Sequence, residues 1–164
     1  MEYICKIATI PEMEIKWDYE INKASDKDNW ITWKKNAFDR VEKGISVVYH
    51  GVLDGKIIAE TTAIFDTSDV QNGNGLADKD TAYLEAFRVI EEYQGQGYFS
   101  KLFKFMIEDL KKRGYKKVTL GVEPCEVKNM MIYFKYGFTT YLKTSTDTYP
   151  DGTEVIVNYY SKEI

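Results

Sequence analysis

The feature that most constrains the fold is a change of hydrophobic period at Gly97. Residues 82–90 have the pattern of a strand, whereas the apolar residues from Phe99 to Leu110 recur three and four positions apart, as on one face of a helix. Gly95 and Gly97 lie in the turn between these segments, and Gly114 ends the helical pattern. The segment therefore predicts a strand, a glycine-rich turn and a helix in succession.

The remaining elements follow from period and turn signals. Asp54-Gly55 joins two β-branched runs and is the strongest hairpin signal in the chain. The patterns predict seven strands, over residues 3–9, 45–53, 56–66, 82–90, 117–122, 138–142 and 154–160, and four helices, over residues 11–21, 27–43, 97–113 and 127–136. The order β-αα-βββ-α-β-α-ββ predicts an α/β (α+β mixed) protein with a central mixed sheet flanked by helices.

Length and composition limit the classes of function. With 164 residues and 44% hydrophobic content, the sequence predicts a single domain over residues 1–164. The 26 acidic and 22 basic residues are interspersed, which argues against nucleic-acid or membrane-surface partners because these need a clustered basic face. The two cysteines, Cys5 and Cys125, lack companions for a metal site and predict free thiols. With no signal-peptide or membrane-span pattern, we expect a cytoplasmic protein.

The turn from Gln94 to Phe99 has the composition of an anion site. Its glycines permit positive φ, so that successive N–H groups can converge on one phosphate at the start of a helix. An ordinary turn remains the alternative, since two glycines before a helix are common. A Rossmann turn fits less well because only Ser100 stands at the third glycine position, and a Walker loop is excluded because no Gly-Lys-Ser/Thr follows.

Two motifs carry a resemblance to a known family. The segment from Val89 to Gly97, in which Gln94 and Gly97 match the pattern Gln/Arg-x-x-Gly-x-Gly/Ala, resembles the central motif of the GCN5-related N-acetyltransferases (GNAT). The segment Ile132-Tyr133-Phe134-Lys135-Tyr136-Gly137-Phe138 resembles their later Leu-Tyr-x-Lys-x-Gly-Phe signature. Phe99 departs from the small final residue of the first motif. The resemblance covers nearly the whole chain and implies a GNAT-like fold with a mostly antiparallel sheet of about seven strands and about four helices.

The resemblance implies acetyl-coenzyme A as co-substrate and no metal. Its pyrophosphate is expected on the turn, and its pantetheine arm on the backbone of the preceding strand, where the N–H of Val89 can polarise the thioester oxygen. Asn129 is a further candidate for the pantetheine arm, although the family's frequent asparagine aligns nearer Glu126. The expected cofactor-binding residues are Phe87, Val89, Gln94, Gly95, Gln96, Gly97, Tyr98, Phe99 and Asn129.

Two residues are candidates for proton transfer. Glu85 lies on the strand before the turn, and a period of two would place it on the same face as Phe87 and Val89, near the acetyl end. Tyr133 occupies the family's tyrosine position and could donate its phenolic proton to the departing thiolate. The alternatives are a carboxylate facing solvent or paired with Arg88, and a tyrosine that only packs.

The sequence therefore predicts an acetyl-coenzyme A dependent N-acetyltransferase acting on a primary amine of a small molecule or peptide by direct attack. The alternative is a non-catalytic acyl-coenzyme A sensor or protein-interaction module with the same fold. His50, the only histidine, has no companion that would suggest a hydrolase triad and is expected to be structural or on the surface. The sequence does not identify the amine. The resemblance is compatible with a homodimer that forms through a strand edge.

Overall fold

Seven strands form one continuous sheet in the computed structural model, which describes residues 1–164. They are β1 (Tyr3–Ile7), β2 (Ser46–Leu53), β3 (Lys56–Ile64), β4 (Thr81–Val89), β5 (Lys117–Val122), β6 (Thr140–Thr148) and β7 (Glu154–Glu163). Their order across the sheet is β1-β2-β3-β4-β5-β7-β6, and only β4 and β5 pair in parallel. The predicted element order and the mixed, mostly antiparallel sheet are confirmed.

Helices cover both faces of this sheet. They are α1 (Ile10–Lys23), α2 (Lys27–Glu42), α3 (Tyr98–Lys112) and α4 (Val127–Lys135). On one face, Met13 and Trp17 of α1 pack against Val48 and against the aromatic side of α2. On the other face, α3 buries the apolar stripe that its sequence predicts, and this stripe forms the largest core with β2 to β5. The sheet thus separates an α1/α2 face from an α3/α4 face.

The hairpin predicted at Asp54-Gly55 joins β2 and β3. Asp54 has φ +47° and Gly55 has φ +84°, as a two-residue turn with both central residues in the left-handed region requires. Antiparallel pairing then runs back from Leu53 and Lys56. This local signal fixes the register of the two strands that precede β4.

A β-bulge interrupts β4 at Ala86 and Phe87. Glu60 of β3 pairs with Arg88 and Thr62 pairs with Glu85, so Ala86 and Phe87 together oppose the single residue Thr61. Ala86 has φ +59°, a conformation that non-glycine residues adopt rarely. The extra residue reverses the alternation of the strand. Side chains two positions apart across the bulge therefore point to opposite faces of the sheet, whereas a period of two would place them on the same face.

The parallel pairing of β4 with β5 ends at the same place. It runs from Thr81 opposite Lys117 to Leu84 opposite Leu120, and no pairing follows. Beyond this point Gly121 and Val122 still pair with β7, so β5 remains in the sheet while β4 diverges from it. The result is a gap between the two strands, which begins after Leu84.

Strand β6 is longer than the sequence predicts. It begins at Thr140 rather than Phe138 and continues to Thr148, six residues beyond the predicted end at Leu142. The added residues are polar because β6 is an edge strand whose side chains are mostly exposed, and this composition conceals a strand from a hydrophobicity pattern. Phe138 instead lies in the core just before the strand.

The loop between β3 and β4 reaches across the sheet to this edge. Gln71 Nε2 donates to the carbonyl oxygen of Thr148 at 3.1 Å, and the Thr148 N–H donates back to Gln71 Oε1 at 2.5 Å. Asn72 Nδ2 also donates to the carbonyl oxygen of Thr146 at 3.1 Å. The outer backbone groups at the carboxyl end of β6 are therefore already paired within the chain.

A layer of ionisable side chains is buried beneath α1. Lys16 of α1 pairs with Glu20 and lies 4.0 Å from Glu60 of β3. His50 of β2 is fully buried, its Nε2 lies 3.8 Å from Glu60 Oε2, and neither ring nitrogen has a hydrogen-bond partner. Burial lowers the pKa of His50 because it disfavours the charged imidazolium. The surface position expected for this residue is therefore wrong, and its burial fits the other expectation, a structural residue.

The core under α3 generates a stability prediction. Leu110 is fully buried at the end of α3, remote from the glycine turn. We expect Leu110→Ala to lower the free energy of unfolding by about 2–5 kcal/mol, because it removes buried methyl groups and leaves a cavity. Urea denaturation measures the change. Ile15→Ala is the control, since Ile15 is 63% exposed, and an equal loss in both variants would contradict this description of the core.

Candidate active site

The glycine turn adopts the conformation that its sequence predicts. Gly95 has φ +72° and Gly97 has φ +84°, and a Cβ atom added to either glycine would meet no atom within 4 Å. The turn follows a single 3-10 turn, Glu91–Tyr93, and leads directly into α3 at Tyr98. The backbone is therefore open to a ligand on the side where side chains would otherwise project.

The turn presents an unbroken series of free donors. None of the backbone N–H groups from Gly95 to Ser100 donates to a protein acceptor, and the first paired group is that of Lys101, which donates to the Gly97 carbonyl oxygen at 3.3 Å. Three of the free groups belong to the first turn of α3, where the helix dipole adds partial positive charge. Such an arrangement of donors suits an anion of phosphate chemistry.

The two glutamines brace the turn. Gln94 Nε2 donates to the Val89 carbonyl oxygen at 3.0 Å, and Gln96 Nε2 donates to the Glu92 carbonyl oxygen at 3.0 Å. Their side-chain amides are thereby held by the backbone that precedes the turn. We infer that both glutamines contribute through the shape of the turn, and that only Gln96 also offers a free backbone N–H, since that of Gln94 donates to the Glu91 carbonyl oxygen at 3.1 Å.

A cleft of about 490 Å³ extends from this turn between β4, α3 and α4. Of the residues predicted from the sequence, those lining the cleft are Phe87, Val89, Gln94, Gly95, Gly97, Tyr98, Phe99, Asn129 and Tyr133. Gln96 and Glu85 do not line it. The structure thus brings the turn, the end of β4 and one face of α4 together around one cavity.

Sequence reasoning missed several residues that also line the cleft. They are Tyr93, Ser100, Lys128, Ile132, Lys135 and Tyr136. Four of these lie on or next to α4. Ile132 and Tyr136 are at helical spacing from Asn129 and Tyr133, so the helical period could have revealed these two. Lys128 and Lys135 are not, and lysines on a short helix usually face solvent.

Aromatic rings form one wall of the cleft. The Phe87 ring lies 5.5 Å from the Phe99 ring and 5.2 Å from the Tyr133 ring, measured between centroids. Phe99 also contacts the rings of Phe103 and Tyr136. The large residue at the final motif position is therefore accommodated by packing, and its N–H remains free to bind a ligand.

Tyr133 places a hydroxyl group in the cleft without a protein partner. Its Oη makes no hydrogen bond within the chain, whereas the nearby Tyr136 Oη is bonded to Ser100 Oγ at 2.9 Å. Burial, with a smaller contribution from the Glu126 carboxylate, raises the pKa of Tyr133 to about 12. The phenol is therefore protonated at neutral pH and available as a donor.

Val89 points a free N–H toward the gap between β4 and β5. The N–H of the next residue, Ile90, donates across to Ile58 on β3 at 2.9 Å. Because successive N–H groups of a strand point to opposite sides in the plane of the sheet, that of Val89 points away from β3. Its carbonyl oxygen lies on the same side and accepts from Gln94.

Glu85 lies on the opposite face of the sheet from Phe87 and Val89, so the prediction of a shared face is wrong. The bulge at Ala86 is the cause, because it inserts one residue between Glu85 and Phe87 and reverses the alternation. Phe87 contacts α3 and α4, whereas Glu85 Oε1 lies 3.6 Å from Arg40 Nη1 of α2. Glu85 therefore stands at the start of the gap on the α1/α2 face.

Opposing effects act on the Glu85 carboxyl. Desolvation by the surrounding protein raises its pKa, although 35% of the side chain is exposed, and the positive charges of Arg40 and Arg88 oppose this shift. Arg40 is itself held by Asp69, whose carboxylate lies 3.2 Å from Arg40 Nε. The arginine thus fixes the carboxylate in position and favours its ionised form.

Two further features bear on ligands. The structure contains no helix that is both long and apolar enough to cross a membrane. No group of three or more histidine, cysteine, aspartate or glutamate side chains is arranged to hold a metal ion.

The fold is that of known acetyltransferases. The ribosomal-protein-S18-alanine N-acetyltransferase from Escherichia coli superposes with a TM-score of 0.66 at 18% identity, covering 99% of this chain and 94% of that one. A GNAT family acetyltransferase from Elizabethkingia anophelis, solved with acetyl-CoA bound, superposes with a TM-score of 0.65 at 18% identity, covering 99% and 98%.

The sequence makes the assignment to a family. The profile of the acetyltransferase (GNAT) family matches residues 10–138, and the chain therefore belongs to this family. N-alpha-acetyltransferase 30 of Schizosaccharomyces pombe is 29% identical over 92 residues, which are 56% of this chain and 58% of that protein. The chain thus matches less than two thirds of that relative's length. The family predicted from the two motifs is confirmed.

The ion pair between Arg40 and Glu85 generates a prediction about ionisation. We expect Arg40→Met to raise the pKa of Glu85 further, because it removes the nearest positive charge that favours the carboxylate. Titration of the side-chain carboxyl carbons by NMR measures the shift.

Arg113→Met is the control for this experiment. Arg113 pairs with Asp109 at 2.7 Å on α3, so its loss should raise the pKa of Asp109 and leave that of Glu85 unchanged. An unaltered Glu85 titration in the Arg40 variant would contradict the ion pair.

Proposed function

We propose that the protein transfers an acetyl group from acetyl-coenzyme A to a primary amine by direct attack. The observation that carries this proposal is the series of free N–H groups from Gly95 to Ser100 beside a cleft that Tyr133 also lines. Membership of the acetyltransferase (GNAT) family supports it, as does the related fold that was solved with acetyl-CoA bound.

The residues of the cleft fit such a co-substrate. The free N–H groups and the open space above Gly95 and Gly97 suit a pyrophosphate, and Lys128 and Lys135 add positive charge to the cleft. The aromatic wall around Phe87, together with the Asn129 amide, suits the pantetheine arm, which contains both apolar groups and amides. When bound, acetyl-coenzyme A supplies a thioester whose acyl carbon accepts the amine and whose sulfur leaves as a thiolate.

Three groups of the chain, on both faces of the sheet, act on the reacting atoms. The N–H of Val89 polarises the acyl oxygen from the gap between β4 and β5. Tyr133 gives its phenolic proton to the sulfur as the carbon–sulfur bond breaks, and it regains a proton from solvent. Glu85, on the other face, accepts the proton that the amine nitrogen loses as the carbon–nitrogen bond forms, directly or through a water molecule.

The position of Glu85 supports an approach of the amine on the α1/α2 face. Phe87 and Val89 line the cofactor cleft on one face, while Glu85 and Arg88 lie on the other, and the gap between β4 and β5 connects the two. The two substrates thus approach from opposite sides of the sheet. The similarity to N-alpha-acetyltransferase 30 favours an α-amine of a polypeptide as the acceptor.

Binding of the co-substrate is the first test. We expect acetyl-coenzyme A to raise the melting temperature of the wild-type protein, and at a hundredfold excess over the dissociation constant the stabilisation is about 2.7 kcal/mol. Gly97→Glu should abolish this rise, because it places a carboxylate where the phosphate binds.

Gly44→Glu is the matched control for this substitution. Gly44 has φ +72° and open space around its Cβ position, like Gly97, but it lies between α2 and β2 away from the cleft. Both substitutions carry the same backbone strain, so a retained shift in Gly44→Glu isolates the effect on binding. No stabilisation of the wild type at millimolar acetyl-coenzyme A would overturn the proposal.

The role of Tyr133 is the second test. We expect Tyr133→Phe to lower the rate of acetyl transfer roughly 100-fold or more, since it removes a general acid. The thermal shift with acetyl-coenzyme A should persist because the ring remains. The rate is measured by release of the free thiol with a panel of amines.

Tyr136→Phe is the matched control, because this second tyrosine of the cleft already donates or accepts a hydrogen bond with Ser100. Its rate should stay within a few-fold of wild type. Equal rates for the Tyr133 variant and wild type would remove the acid role, whereas cofactor binding without turnover of any amine would favour a non-catalytic sensor.

A further inference from the structure

Arg88 occupies a distinct position on β4. It lies between Phe87 and Val89, which both line the cofactor cleft, yet its own side chain extends to the opposite face of the sheet. This is the face on which Glu85 lies, and the Arg88 charge is near enough to lower the pKa of that carboxyl. Arg88 is therefore close to where the proposed function brings the amine.

The guanidinium group of Arg88 is held in a fixed position. Its Cζ lies 5.0 Å from the centroid of the Trp17 ring and 4.6 Å from that of the Trp30 ring. Its Nη1 donates to Glu60 Oε1 at 2.5 Å. Two aromatic contacts and one charged hydrogen bond thus restrict a side chain that is otherwise flexible.

This fixed group retains unused donors. A guanidinium carries five N–H bonds, and Arg88 uses only Nη1 within the chain. The side chain is 23% exposed, and neither Nε nor Nη2 is buried without a partner. The remaining N–H groups are therefore accessible to a ligand that approaches on the α1/α2 face.

Glu60 engages one nitrogen of Arg88, Nη1, and leaves the rest of the guanidinium unpaired. Lys16 also lies 4.0 Å from Glu60, and His50 lies 3.8 Å from it. Burial keeps His50 neutral, and Lys16 also pairs with Glu20. Arg88 is the one cation of this group that is partly exposed and clamped between aromatic rings.

We propose that Arg88 binds an oxygen atom of the acceptor, a carbonyl or carboxylate that lies next to the reacting amine. Resting on the proposed acetyl transfer, this inference names the acceptor class as α-amines of amino acids and peptides. Simple amines and polyamines lack such an oxygen. Glu60 acts as a positioning residue, because it orients the guanidinium through Nη1.

The test compares two kinds of acceptor in wild type and in Arg88→Met. One kind is a set of peptides with a free α-amine, and the other is the set of alkylamines with the same side chains but no carbonyl carbon. The methionine keeps the apolar stem against the tryptophan rings and removes the donors. We expect the ratio of kcat/KM for the peptides to kcat/KM for the alkylamines to fall roughly 10- to 100-fold, as loss of a charged hydrogen bond implies, because the effect of the lost charge on Glu85 acts on both kinds of acceptor.

Two additional measurements keep the result interpretable. The thermal shift with acetyl-coenzyme A should equal that of wild type, since Arg88 does not line the cofactor cleft. Arg88→Lys retains a cation beside Glu60 and the tryptophan rings but loses the planar fork, so it should show the same selective loss even if the methionine variant is unstable. Free amino acids compared with peptide amides distinguish a carboxylate from a peptide carbonyl as the bound group.

The outcomes separate this inference from the proposed function. Equal losses for peptides and alkylamines, no loss for either, or a wild-type preference for alkylamines would overturn the role of Arg88 and leave acetyl transfer standing. Failure of wild type to acetylate any amine would overturn acetyl transfer itself, and the acceptor class with it.

Discussion

The site depends on the interruption of β4 at Ala86. The bulge there and the end of pairing between Leu84 and Leu120 occur together, and they produce both the gap beside Val89 and the reversal that sends Glu85 to the far face. A regular strand would have paired its N–H groups with β5 and closed the sheet. Backbone in a sparsely populated conformation is costly, and the surrounding pairing with β3 on both sides holds it in place.

Local signals in the sequence predicted the cofactor half of this arrangement. The glycines of the turn, the period of α3 and the Asp54-Gly55 hairpin each act over a few residues, so their structures depend little on distant contacts. Tyr133 and the turn residues other than Gln96 line one cleft, as the two family motifs indicated. Their roles in binding and catalysis remain predictions.

The acceptor half could not be predicted in the same way. A bulge depends on how β4 pairs with β3, and the sequence of β4 alone does not reveal this pairing. The face predicted for Glu85 is wrong for this reason. The surroundings of Arg88 come from α1, α2 and β3, which are distant in sequence. Polar edge strands such as β6 escape hydrophobicity patterns for a related reason, since only one side of the strand contributes to a core.

The loop between β3 and β4 contacts two separate parts of the molecule. Gln71 and Asn72 close the outer edge of β6, while Asp69, only two residues earlier, holds the arginine that pairs with Glu85. A partner strand that paired with the carboxyl end of β6 would compete with those amides for the same backbone groups. Self-association at this end of the edge would therefore act on the same short segment that carries Asp69.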